Sequence, residues 1–223
     1  MEANLFPSGT PGNKVSLFPD LLKTVQELVT QFDTVPIERK NQLKRLAAFV
    51  EGKLERKEKA ELNFICTHNS RRSHLAQIWA QTAAACYGID GVICYSGGTE
   101  ATAFNPRAVK AMEEAGFIIS KTTGESNPVY AVKYAADAPG LSVYSKKYDA
   151  DGNPTLGFGA VMTCSHADHN CPIVLGAEAR FSILYEDPKD FDGTHREAAA
   201  YRERVLQIGL EMLYTFSTIR TNS

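Results

Sequence analysis

The chain has 223 residues, 22% of them charged, with a formal net charge of −2 and five cysteines. This length carries one sizeable α/β domain with an appendage, and the charge balance excludes a nucleic-acid or polyanion binder, which needs a basic excess. No apolar run is long enough to span a bilayer, the first residues lack the pattern of a signal peptide, and an odd cysteine count makes no disulfide framework, so the expectation is a cytoplasmic protein with reduced thiols and no membrane partner.

Residues 1 to 15, rich in Pro, Gly and Asn, read as a loose tail. Two amphipathic helices follow. Leu21, Leu22, Val25, Leu28, Val29 and Phe32 share one face of the first; Leu43, Leu46, Ala47, Val50 and Leu54 share a face of the second. Pro36 between them suits a first helical turn. The charged stretch 51–61 reads as the second helix running into a solvated linker. Such a pair cannot bury its stripes alone, so it docks on the next domain or makes a homodimer with a second copy. Having neither Cys nor His, the unit 1–60 is expected to be dispensable for chemistry.

The second unit, 61–223, opens with the apolar strand Leu62–Ile65, a polar loop from Cys66 to Ser73, and a helix from His74. A second strand, Val92–Ser96, closes at Gly97-Gly98. A helix over Pro106–Ala115 has Asn105 as its cap, and Ile118-Ile119 begins a short extended stretch. Residues 129–148 alternate with period two around a turn at 137–140, predicting an inserted β-hairpin at the edge of the sheet, its tyrosines packed across strands. Gly157–Thr163 and Ser182–Tyr185 read as the third and fourth strands, and a long helix runs from about His195 to about Phe216. This alternation predicts a doubly wound parallel sheet of about four strands, with ligands at the strands' carboxyl ends.

Two stretches carry chemistry. If residues 66 to 73 curl at the start of a helix, their N–H groups converge on a tetrahedral oxyanion, with Arg72 as a planar bidentate donor. The same positive surroundings favour the thiolate of Cys66, the form that attacks. The plain alternative is a buried strand-end thiol beside a solvated turn. Further on, Cys164 and Cys171 stand seven positions apart on the same rim. They are packing residues, or zinc ligands with His166 and His169, or a pair able to form a disulfide. Four zinc ligands within eight residues is a cramped arrangement.

The first stretch resembles the phosphate-binding loop of the low-molecular-weight protein tyrosine phosphatase fold: Cys, five residues, Arg, then Ser or Thr. Cys66, Arg72 and Ser73 match it, and Asn69-Ser70 matches the usual Asn-Ser inside the loop. The second resembles the Cys-Ser-x-Ala-Asp-x-x-Cys-Pro loop of the thioredoxin-coupled arsenate reductases built on that fold, through Cys164, Ser165, Ala167, Asp168, Cys171 and Pro172. Glu186-Asp187-Pro188 resembles the family's acid loop. The likeness runs from about residue 62 to the end of the chain.

The resemblance implies an arsenate reductase with no metal and no tightly bound cofactor. Cys66 attacks an arsenate or phosphate oxyanion held by Thr67, His68, Asn69, Ser70, Arg71 and Arg72, Ser73 supports the thiolate, and Asp187 protonates the departing oxygen. Cys164 and then Cys171 carry the disulfide outward to thioredoxin. A competing phosphatase, acting on phosphotyrosine or a small phosphoester, needs only Cys66, Arg72 and Asp187. A third reading is a non-catalytic oxyanion or redox sensor, which has no use for a leaving-group acid. The sequence departs from the family in three places. Arg71 stands where a second cysteine is usual, His68 replaces a frequent glycine, and Gln77 replaces the glutamate that binds potassium in some arsenate reductases.

Overall fold

Apolar runs of five to seven residues become buried strands, and alternate residues along them feed opposite faces of the sheet. The structure, a computed structural model, describes residues 15–170 and 173–220, so most of the expected tail and the Cys171-Pro172 pair lie outside the described residues. Four strands, β1 (Ala60–Cys66), β2 (Val92–Gly98), β6 (Phe158–Met162) and β7 (Ala177–Ser182), form a parallel sheet in the order β2-β1-β6-β7. Leu62, Phe64 and Val161 enter the main core; Ile65, Ala160 and Met162 enter a smaller cluster behind it. The helices are α1 (Pro19–Val29), α2 (Ile37–Glu55), α3 (Arg72–Cys86), α4 (Pro106–Glu114), α5 (Ser165–Asn170) and α6 (Glu197–Ser217). Asn105 caps α4 as expected, its side chain accepting from the Arg107 N–H. No helix among the described residues is long and apolar enough to cross a membrane.

The N-terminal helices belong to the same core as the sheet. Leu21, Val25 and Leu28 of α1 and Leu43, Leu46 and Val50 of α2 are buried with Leu62, Trp79, Val205, Ile208 and Met212. Gly209 of α6 marks the tightest crossing, where an added Cβ would meet the Trp79 ring at 2.7 Å and Leu28 at 3.0 Å. Of the two expected ways to bury these stripes, docking on the next unit or pairing with a second copy, the first holds: they are covered within the chain. The charged stretch is the end of α2 running into exposed residues 56–59, as expected, and it is also tethered. Lys53 Nζ pairs with Glu178 at 2.6 Å and Glu58 at 2.9 Å, and Arg56 reaches Glu178 at 3.2 Å, pinning the end of α2 to β7. Pro36 sits just outside α2 as its N-cap.

Two strand assignments shift. The fourth strand is Ala177–Ser182 rather than 182–185; its polar, half-exposed residues give it no apolar signature because it is an edge strand. The hairpin does not extend the parallel sheet. Its arms β4 (Val129–Lys133) and β5 (Leu141–Val143) pair with each other, and β4 pairs on its other side with β3 (Ile118–Thr123), in a separate antiparallel sheet of order β3-β4-β5. Residues 144–148 then return to the main sheet, where the Gly98 N–H donates to the Lys146 carbonyl and the Tyr148 N–H to that of Gly98.

Candidate active site

Five residues lie between the end of β1 and the start of α3, and the loop they form turns on Asn69, whose φ of 43° lies in the left-handed region that Asn tolerates. Donors outside the loop take up its carbonyls. Thr99 N–H bonds Cys66, Glu100 N–H bonds Thr67, Asn105 N–H bonds Ser70, and the Ser145 and Thr102 hydroxyls bond His68. A trans peptide carries its N–H opposite its carbonyl, so carbonyls drawn outward leave N–H groups for the loop's interior. No side chain caps the first turn of α3, and no acidic residue stands in it. These are the conditions for an anion at a helix N-terminus.

Cys66 is 4% exposed, with Sγ 3.0 Å from the Ser73 hydroxyl. Asn69, fully buried, donates through Nδ2 to that hydroxyl at 2.9 Å and accepts the Lys146 N–H on Oδ1 at 2.8 Å. Gly98 supports the loop from β2: a Cβ there would lie 2.2 Å from the Glu100 carbonyl oxygen and 2.7 Å from both Asn69 N and the Thr67 carbonyl oxygen. His74, also fully buried, bonds Ser96 through Nδ1 at 3.0 Å and packs on Phe104. Burial, assisted by the positive charge of Lys146, pulls its pKa down to about 3, so the ring is neutral. Lys146 itself is 9% exposed; burial brings its pKa down to about 8, and Nζ lies 4.6 Å from the centre of the Tyr144 ring.

The arginines face the Glu186-Asp187-Pro188 segment. Arg72 donates through Nη1 to the Tyr185 carbonyl at 2.9 Å and through Nη2 to Asp187 Oδ2 at 2.7 Å. Arg71 stands 3.8 Å from Asp187 Oδ1 and donates to the Tyr201 hydroxyl at 2.9 Å, so it is tied to α6 rather than loose at the mouth. Asp187 Oδ1 also accepts the Lys189 N–H, capping a short helical turn at 188–191. His68 lies outermost, 3.7 Å from Glu100 and nearly half exposed.

Cys164, 1% exposed, shares the smaller buried cluster with Cys66. The Thr67 hydroxyl lies 3.4 Å from its Sγ and 3.2 Å from His166 Nδ1. α5 follows directly, anchored by Asp168, whose Oδ1 accepts from Arg180 at 2.7 Å and Ser182 at 2.6 Å. Both cysteines are free thiols. Cys171, at the far end of this segment, lies outside the described residues. Among the described residues no group of three or more His, Cys, Asp or Glu side chains is placed to hold a metal ion. Gln77 is buried against β2, its Nε2 bonding the Cys94 carbonyl. Sequence reasoning missed Lys146 and Ser145, which sit in a stretch that reads only as a strand.

Residues 61–134 match the family described as low molecular weight phosphotyrosine protein phosphatase. The chain is 33% identical over 147 residues to an arsenate reductase of Bacillus licheniformis, covering 66% of this chain and 87% of that protein. It is 33% identical over 144 residues to an arsenate reductase of Bacillus subtilis, covering 64% and 84% respectively. A solved low molecular weight phosphotyrosine phosphatase from Vibrio cholerae superposes with a TM-score of 0.46 at 12% identity, over 70% of this chain and 93% of that one. With arsenate reductases of this identity matched over most of their length, the chain belongs to the arsenate reductases of the low-molecular-weight phosphotyrosine phosphatase family and is an enzyme of that kind.

Proposed function

We propose that the enzyme reduces arsenate to arsenite through a cysteine relay. The Cys66 thiolate attacks the arsenic of an arsenate bound at the N-terminus of α3. Asp187 gives its proton to the departing oxygen, which leaves as water. An arriving oxyanion competes with Asp187 for Arg72, freeing the carboxyl group to carry that proton. The Cys164 thiolate then attacks Cys66 Sγ. A 66–164 disulfide forms, the sulfur–arsenic bond breaks, and its electron pair stays on arsenic, which departs as arsenite. Cys171 attacks Cys164 in turn, expelling the Cys66 thiolate and leaving a 164–171 disulfide for an external dithiol such as thioredoxin to reduce.

The observation that supports reduction over phosphoester hydrolysis is the second buried thiol beside the nucleophile. Cys164 shares an apolar cluster with Cys66 and touches the Thr67 hydroxyl, and hydrolysis has no use for it. The test couples arsenate to NADPH oxidation through thioredoxin and its reductase, beside hydrolysis of an aryl phosphate. Cys164→Ser and Cys171→Ser should each stop multiple turnover of arsenate and leave any aryl phosphate hydrolysis largely intact. A 66–164 disulfide should accumulate in Cys171→Ser treated with arsenate and be visible by mass spectrometry. Sustained arsenate turnover in both variants would refute the relay and make the phosphatase the better assignment.

A further inference from the structure

Arg39 stands in the first turn of α2, outside the residues matched by the phosphatase family. Its guanidinium donates through Nη2 to the Leu184 carbonyl at 2.6 Å and faces Glu211 Oε1 at 3.4 Å through Nε. It also lies 5.3 Å from the centre of the Tyr185 ring. The side chain is 19% exposed and that of Glu211 only 5%. Leu184 and Tyr185 lead directly into the acid loop. The Tyr185 carbonyl holds Arg72 Nη1, and Asp187, two residues on, holds Nη2. One four-residue segment, 184–187, therefore carries Arg39 on one side and the arginine of the oxyanion loop on the other.

We propose that Arg39 is a positioning residue of the active site: by fixing Leu184 and Tyr185 it sets where Arg72 and Asp187 stand, and so makes the N-terminal helices part of the catalytic apparatus. The proposal rests on reading Arg72 as the oxyanion binder and Asp187 as the acid. A charge-assisted bond to a carbonyl is stronger than a neutral one, and the planar fork of arginine bonds a carbonyl and a carboxylate while lying over an aromatic ring. A lysine at this position keeps the charge but supplies no such fork. Displacements of about 1 Å at reacting groups cost on the order of a hundredfold in rate, so a modest shift of the 184–187 segment is enough to be measured.

The experiment uses the full chain with Arg39→Met, Arg39→Met combined with Glu211→Gln so that no buried carboxylate is stranded, and Arg39→Lys. Arg45→Ala, exposed on the same helix, is the control. Two readouts are taken: kcat and KM for arsenate, and the concentration of inorganic phosphate that half-protects Cys66 from iodoacetamide. Both methionine variants should raise the arsenate KM and the half-protecting phosphate concentration by about tenfold or more, with Arg45→Ala unchanged. The kcat losses of Arg39→Met and Asp187→Asn should be non-additive, because both act through the same carboxylate. A folded Arg39→Met/Glu211→Gln enzyme with unchanged kinetics and phosphate protection overturns the proposal. If the methionine variants misfold, a folded Arg39→Lys enzyme with wild-type KM and protection overturns it instead. Arsenate turnover surviving Cys66→Ser would refute the underlying active-site reading, a result distinguishable from either of these.

Discussion

Ser73 and Asn69 supply what the proposed nucleophile touches: a hydroxyl 3.0 Å from Cys66 Sγ, itself held by a buried amide. Ser73→Ala removes a hydrogen bond to the reacting sulfur, and at about 1 kcal/mol this should slow alkylation of Cys66 by iodoacetamide roughly five- to tenfold without unfolding the protein. Cys66→Ser should abolish arsenate reduction and aryl phosphate hydrolysis together, because both begin with the same thiolate. His74 gives a pH test. The unfolded chain protonates it near 6.5, while the folded chain, where burial dominates, takes the proton only near 3. The unfolded state binds the extra proton between these values, so stability is lost as the pH falls through that window, by about 1.4 kcal/mol per unit. Urea midpoints should drop between pH 6.5 and 4.5, and less steeply in His74→Gln; equal slopes would show that His74 is not the group responsible. That Cys66, Asn69, Arg72 and Ser73 would gather at one point was legible in the sequence because they share one contiguous loop. Arg39, Ser145 and Lys146 were not, because they reach the site only through the tertiary fold.

At the level of elements, the register between β1 and β2 decides whether the anion loop closes, since Cys66 pairs with Gly98 at the end of that ladder. Gly98→Ala places a methyl group 2.2 Å from one carbonyl oxygen and 2.7 Å from another and from the Asn69 nitrogen, all backbone atoms that cannot step aside singly. The expected cost is about 1–3 kcal/mol of overpacking, together with a loop that phosphate no longer protects against alkylation. A Gly98→Ala protein with wild-type melting and phosphate protection would show that the two strands tolerate more separation than this packing implies. β1, β2 and β6 could be read from their apolar runs, and α4 from its cap. β7 was placed too late because the apolar residues Ile183 and Leu184 follow it, while its own Glu178, Arg180 and Ser182 are polar. The partner of the hairpin was hidden for a related reason: β3 is mostly exposed, and its alternation does not say which sheet it joins.

For the whole molecule, the division into a helical pair and an α/β unit follows the motifs but not the packing. Six large aliphatic side chains of α1 and α2 are buried in the shared core. At about 1.5–3 kcal/mol each they rival the whole stability of a typical domain, about 5–15 kcal/mol. Deletion of residues 1 to 57 should therefore leave a chain without cooperative unfolding or phosphate protection of Cys66, checked by circular dichroism and alkylation; a sharply melting truncated protein would restore the pair as an accessory. The order β2-β1-β6-β7 has a further consequence, for synthesis. β1 finds one neighbour early, in β2, but its other neighbour pairs Leu62 with Gly159, and the arginine of the loop is held by Asp187. At about 5–20 residues per second, on the order of ten seconds separate the emergence of Cys66 from that of Asp187. During that interval the nascent chain presents Cys66 as an ordinary thiol, with neither its full surroundings nor Asp187, to the small oxidants and electrophiles around it. The arrangement of the strands delays assembly of the proposed active site until β6 and the segment beyond it exist to enclose it.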